Sequence, residues 1–99
     1  MTDFNEHLAR DARLVILKEL SKQTDNRLNE SLLQNVLETF GHRRSRDWVR
    51  QQLRILADLD AVSLSEAGTV LIAELRRAGL EHVERRSILE GVARPSLVA

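Results

Sequence analysis

The chain has 99 residues, 42% of them hydrophobic and 30% charged, which makes one small domain with enough apolar material for a core and argues against disorder. Its 15 basic and 15 acidic residues cancel to a formal net charge of +0, so any affinity for nucleic acid has to come from a local patch rather than an overall positive field. Cysteine is absent, which excludes disulfides, thiolate metal sites and cysteine nucleophiles and fits a reducing compartment. No apolar run approaches the roughly 20 residues of a membrane span. The N-terminal "MTDFNEHLARDAR" has no signal-peptide core.

A first helix is expected from Asp3 to Gln23. Phe4, Leu8, Ala12, Val15, Ile16 and Leu20 recur there at steps of three and four and make one apolar face. Asp3 or Thr2 can cap its start by accepting from the free amides of the first turn. "KQTDNRLNE" then reads as a polar turn. Asn29 or Ser31 can cap a second helix, roughly Glu30 to Phe40, whose apolar stripe is Leu32, Leu33, Val36, Leu37 and Phe40. Gly41 follows where helices commonly end in the left-handed conformation. Arg43 and Arg44 form the link, and Ser45 caps a third helix that runs to about Leu59 with Val49, Leu53 and Leu56 inward.

The chemistry changes at Asp60. Val62 and Leu64 alternate with Ser63 and Ser65, "EAG" is a turn, and "TVLIAEL" is rich in β-branched residues. This reads as a β-hairpin with Gly68 in its turn. The competing reading is a helix from Glu66 through Leu80, which Gly68 and "TVLI" oppose. "RRAGLEHVERR" can form a short helix weakened by Gly79, and "SILEGVARPSLVA" is a partly extended tail interrupted by Gly91 and Pro95. The expected fold is therefore α+β and mostly α. It is a winged helix-turn-helix of three helices, a hairpin wing and a short C-terminal helix, with the domain at 1–85 and the tail at 86–99.

In that arrangement the third helix can project its N-terminal residues into a major groove. Arg46, Asp47, Arg50 and Gln51 are not needed for packing. Arginine can bond guanine bidentately and glutamine adenine. Arg43 and Arg44 suit phosphates, and Ser45 sits beside them at the helix start. From Arg43 to Arg54, five arginines stand against one acid, a local charge of +4. Two features oppose a DNA role. The wing tip "SEAG" holds Glu66 and no cation, and Asp47 would repel phosphate. On the opposing reading the arginines form a solvated face paired with Glu38, Asp47 and Asp58.

Arg27 to Leu33 ("RLNESLL"), Gly41 with Ser45 to Val49 ("SRDWV"), and Gly91 to Pro95 ("GVARP") resemble the small winged-helix proteins of Mu-like phages and prophages, often labelled ArsR-like from fold alone. The likeness spans nearly the whole chain. It implies a winged-helix fold, a phage origin and a cytoplasmic location in a bacterial host. It supplies little mechanism. Metal sensing of the ArsR type does not carry over, because cysteine is absent and His7, His42 and His82 form no ligand-spaced cluster. The reading is a non-catalytic, homodimeric, double-stranded-DNA-binding protein, with transcription regulation as a candidate role. The alternative is a protein–protein adaptor in phage assembly or DNA packaging.

Trp48 is expected as a core or interface anchor rather than a base-stacking group. The histidines are expected at the surface, with a phosphate contact open to His42. Ser45 is expected as a cap rather than a nucleophile, and neither cofactor, metal nor enzymatic activity is expected. A dimer interface is assigned to Phe4, Leu8, Trp48, Val70 and Ile72. Both faces of the second hairpin strand are apolar, and the first helix carries the consecutive run Leu14, Val15, Ile16 and Leu17. The opposing reading is that Leu80, Val83, Ile88 and Leu89 fold back over that surplus.

Overall fold

The computed structural model describes residues 3–96. Helix α1 spans Phe4–Lys22 and is capped by Asp3, whose carboxylate accepts from the Glu6 amide at 2.8 Å. Thr2, the other expected cap, lies outside the described residues. Strand β1, Arg27–Asn29, leads into α2, Glu30–Thr39, where the Asn29 side chain accepts from the Leu32 amide at 2.9 Å. Helix α3 is Arg46–Asp58, and Ser45 Oγ accepts from the Trp48 amide at 3.1 Å. Strands β2 (Val62–Ala67) and β3 (Val70–Leu75) form the expected hairpin, and α4 covers Arg77–Val83. Gly68 occupies the two-residue turn with φ 63, a conformation glycine adopts without steric cost. The architecture is α+β and mostly helical, with four helices and one three-stranded antiparallel sheet.

Strand β1 was not expected. The sheet order is β1-β3-β2, with Asn29 opposite Ile72 and Leu28 opposite Ala73. β3 is therefore the central strand. Its edges are paired to β1 and β2, Leu71, Ala73 and Leu75 are buried on one face, and Val70 and Ile72 on the other are half-buried.

The core gathers Ile16, Leu17 and Leu20 of α1, Leu33 and Leu37 of α2, and Val49, Leu53 and Leu56 of α3. Val62 and Ala73 of the sheet close it. Each fully buried aliphatic side chain contributes about 1.5–3 kcal/mol. The inner face of α3 is as expected. That of α2 is narrower, because only Leu33 and Leu37, one turn apart, point inward. Leu32 and Phe40 are exposed.

The C-terminal segment packs against α1 and α4. Val92 enters the core, with Leu89, Ala93 and Val83 against it. The Ala93 amide donates to the Arg10 carbonyl at 3.1 Å. Arg13 is buried. It donates to the Gly91 carbonyl at 2.7 Å and to Gln52 of α3 at 2.8 Å. Leu14, Ile16 and Leu17 are thus covered within one chain, and the surplus that pointed to a partner on α1 is removed. Ile88, by contrast, stays exposed.

Two histidines expected at the surface are buried. His42 Nε2 lies 2.8 Å from an Asp11 oxygen. His82 Nδ1 accepts from the Leu89 amide at 3.0 Å, so its proton sits on Nε2, which donates to the Ala93 carbonyl at 2.8 Å. Among the described residues no helix is long and apolar enough to cross a membrane.

Candidate nucleic-acid interface

The surface in question is built by the α2–α3 turn, the first two turns of α3 and the hairpin tip. The turn is fixed from α2. The His42 amide donates to the Leu37 carbonyl at 2.8 Å, and Gln34 Nε2 donates to the Arg44 carbonyl at 2.9 Å. With Ser45 capping α3, this sets the start of the helix relative to α2.

The arginines are not equivalent. Arg43 is strongly exposed, with 87% of its side chain accessible, and donates to Glu38 at 3.1 Å. Arg44 lays its guanidinium 4.7 Å from the centre of the Trp48 ring, a cation–π contact. Trp48 itself is half-buried against the core. Arg46 donates to Ser31 Oγ at 3.1 Å and has its Nε 3.7 Å from Glu30. Arg50 turns inward instead of standing on the open side of the helix. Its Nε donates to both Glu30 oxygens, at 2.8 and 3.0 Å, and its Nη2 donates to the Thr69 carbonyl in the hairpin turn at 2.8 Å. Gln51 and Arg54 are exposed, and neither has a side-chain partner among the described residues.

Glu30 organises this surface, and nothing in the sequence singled it out. It opens α2, where the helix N-terminus favours a carboxylate, yet its side chain is fully buried. Besides Arg50, it accepts from the Leu71 amide of β3. Burial pushes its pKa up. The Arg50 hydrogen bond, the Leu71 amide and the charges of Arg50 and Arg46 outweigh burial and hold it below the ordinary carboxylate value. The hydrogen bond to Glu30 in turn raises the Arg50 pKa, with Glu66 and Asp47 adding to it. One buried anion thus ties together α2, α3 and the hairpin.

The fold also changes the charge. Glu30, Glu38 and Glu66 join the arginine cluster and lower its sequence count of +4 to +1. The pairing is with Glu30 and Glu38. Of the three acids expected to neutralise the arginines, only Glu38 forms an ion pair among the described residues.

Over 91 residues, 92% of this chain and 94% of the relative, the sequence is 38% identical to the uncharacterized protein gp26 of Escherichia phage Mu. The chain belongs to the family of that phage protein. No family model and no solved structure matches it. In this gp26 relative, the residues singled out for DNA fall into separate groups. Arg43 and Gln51 face outward, Arg44 is half-buried on Trp48, Arg46 is half-engaged, Arg50 is committed to Glu30 and Thr69, and Ser45 is committed to capping. Of the residues assigned to a dimer interface, Phe4 is 71% exposed. Leu8, Trp48, Val70 and Ile72 are half-buried within their own chain.

Proposed function

We propose that this gp26-family protein is a winged-helix protein that binds duplex DNA through the outward face of α3, without catalysis. The observation that carries this reading is the pair Gln51 and Arg54, exposed on α3 with no side-chain partner among the described residues, set beside the exposed Arg43 and the half-buried Arg44 of the capped turn, with Asp47 on the same strip opposing phosphate. These positions lie one turn apart along a helix whose opposite side is wholly in the core. The element order supports it: a helix, a short strand, two helices joined by a tight turn, and a hairpin pinned beside the second of them. Arg50, bridging Glu30 and Thr69, holds α3 and the hairpin in register, so its role is to position the surface. Base contact then falls to Gln51, with Arg46 able to swing out from Ser31.

The low local charge sets what the binding looks like. Arg43, Arg44 and Arg54 provide about three phosphate contacts, which corresponds to a slope of about −2.7 in log K against log salt. Non-specific affinity is weak, and sequence-specific contacts have to supply most of the useful binding. The test is a titration with pooled duplexes from the protein's own genome neighbourhood at two salt concentrations. A specific duplex bound with a shallow salt slope supports the reading. Absence of salt-dependent binding to any duplex rejects it and leaves α3 as a protein-contact surface, the adaptor role in phage assembly or packaging.

A further inference from the structure

We propose that the groove between the end of α4 and the C-terminal segment binds an acidic peptide that carries an apolar anchor side chain. The groove has a volume of about 300 Å³ and is lined by His82, Arg85, Ser87, Ile88, Arg94 and Pro95. None of these residues belongs to α2, α3 or the hairpin, so the proposal stands apart from the DNA reading.

Its lining combines an apolar floor, Ile88 and Pro95, with the basic side chains of Arg85 and Arg94. Ile88 is 57% exposed and lies with Pro95 in the groove, an apolar surface left to water. His82 offers no free nitrogen, because both of its ring nitrogens are bonded to the backbone. Arg85 and Arg94 line the groove beside this floor. Neither has a carboxylate within ion-pair distance among the described residues, although Arg76, Arg77 and Arg86 pair with Asp60, Glu81 and Glu84. Two arginines with no ion-pair partner among the described residues, in one groove with Ile88 and Pro95, are complementary to a segment that is negative outside and apolar within.

Arg85 carries a second signal. It has φ 62, the left-handed region, just past the end of α4. The other non-glycine residues with positive φ are Asn26 and Asp60, types that tolerate this conformation. Glycine would fit the position without strain. An arginine held there lines the groove at a conformational cost, the pattern of a residue kept for what it contacts. A nucleic acid fits less well. No phenylalanine or tryptophan lines the groove to stack a base, and a phosphate backbone would leave Ile88 and Pro95 uncovered.

The experiment is fluorescence anisotropy with a labelled peptide of alternating glutamate and leucine. Glutamate–serine and lysine–leucine peptides and a labelled duplex serve as controls. The glutamate–leucine peptide is expected to bind more tightly than the other peptides. Arg85→Gly and Arg94→Glu are each expected to weaken it by about fivefold or more. Arg85→Gly also relieves the left-handed backbone, so its melting temperature should match or exceed that of the parent, which separates lost binding from lost fold. Ile88→Ser should weaken binding through the floor alone. Equal binding of the glutamate–serine peptide, unchanged affinity in both arginine variants, or no binding at millimolar peptide overturns the proposal. Displacement of the peptide by duplex also overturns it and assigns the two arginines to nucleic acid.

Discussion

Arg50 of α3 donates to both carboxylate oxygens of Glu30 at the start of α2, at 2.8 and 3.0 Å, and the acceptor is fully buried. A buried carboxylate is tolerated only when its charge is met. Here the Leu71 amide and Arg46 complete the set. Replacing Glu30 with glutamine removes the charge and turns an amide N–H toward the Arg50 donor. The expected loss of folding stability at neutral pH is about 1–3 kcal/mol, read from chemical denaturation.

The same pair predicts a pH dependence. Glu30 has a lowered pKa in the folded protein, so the folded state binds its proton less readily than the unfolded chain. Its contribution to stability is complete above the unfolded value of about 4.3 and is lost as pH falls through the lower, folded pKa. The stability gap between the wild type and Glu30→Gln should therefore be constant near neutrality and close in acid. A gap unchanged down to the acid end would show that the carboxylate charge contributes nothing.

On the proposed DNA surface, the fold separates the arginines into two kinds. Arg43→Ala and Arg54→Ala should weaken binding to all duplexes alike and flatten the salt slope by about 0.9 each. Gln51→Ala should cost about 1–3 kcal/mol on the preferred sequence and little on random DNA. Arg50→Ala should lower stability along with binding, because it leaves Glu30 unpaired. A variant that lost DNA affinity with an unchanged melting curve would place Arg50 at the bases instead.

What was legible in the chain was local. The caps, with Asp3 and Asn29 each one of two candidates and Ser45 alone, the Val49–Leu53–Leu56 face of α3 and the Gly68 turn all depend on neighbours within a few residues, and the structure has each of them. Strand β1 was hidden because its three residues are stabilised by β3, far along the chain, and are flanked by turn formers. Glu30 resembled any acid at a helix start. Arg13, Gln52 and His82 are buried polar groups whose partners lie on other elements, and no periodicity marks such pairs. The direction of Arg50 was missed for the same reason. Helical spacing put it one turn from Arg46, and Glu30 drew it inward.

Gly79 illustrates a related limit. As a sequence feature it only weakens α4. In the fold, a Cβ there would collide with the Ala61 carbonyl and come within 2.8 Å of Leu75 Cδ1. Gly79→Ala should therefore destabilise the protein by about 1–3 kcal/mol through overpacking, despite the better helix propensity of alanine. An unchanged or raised melting temperature would mean that α4 can shift away from Ala61.

The C-terminal segment packs over α1, while Phe4, Leu8, Val70 and Ile72 keep apolar surface open to a second copy. Phe4 retains the largest exposed apolar side chain of the assigned interface, with Leu8 one turn further on. If a second copy pairs there, sedimentation at micromolar concentration shows a dimer that Phe4→Ser dissociates. A monomer at high concentration removes the dimer, and with it any palindromic site.

His82 offers the last test, because its two ring nitrogens hold both ends of the segment that folds back on α1. Nδ1 takes the Leu89 amide and Nε2 gives to the Ala93 carbonyl. Between them Val92 enters the core and Arg13 grips Gly91. His82→Ala would leave a buried amide and a buried carbonyl unmatched, at a cost of about 1–3 kcal/mol each where water cannot reach them. The effect should be regional. Hydrogen exchange should rise first at Leu89 and Ala93, whose amides are bonded to His82 and to Arg10, while amides in the middle of α3 stay protected. His82→Gln, which can donate but cannot span both partners, should restore protection near Ala93 more than near Leu89. Uniform loss of protection across the chain would mean that the segment does not open separately and that its packing belongs to the same cooperative unit as the α1–α2–α3 core.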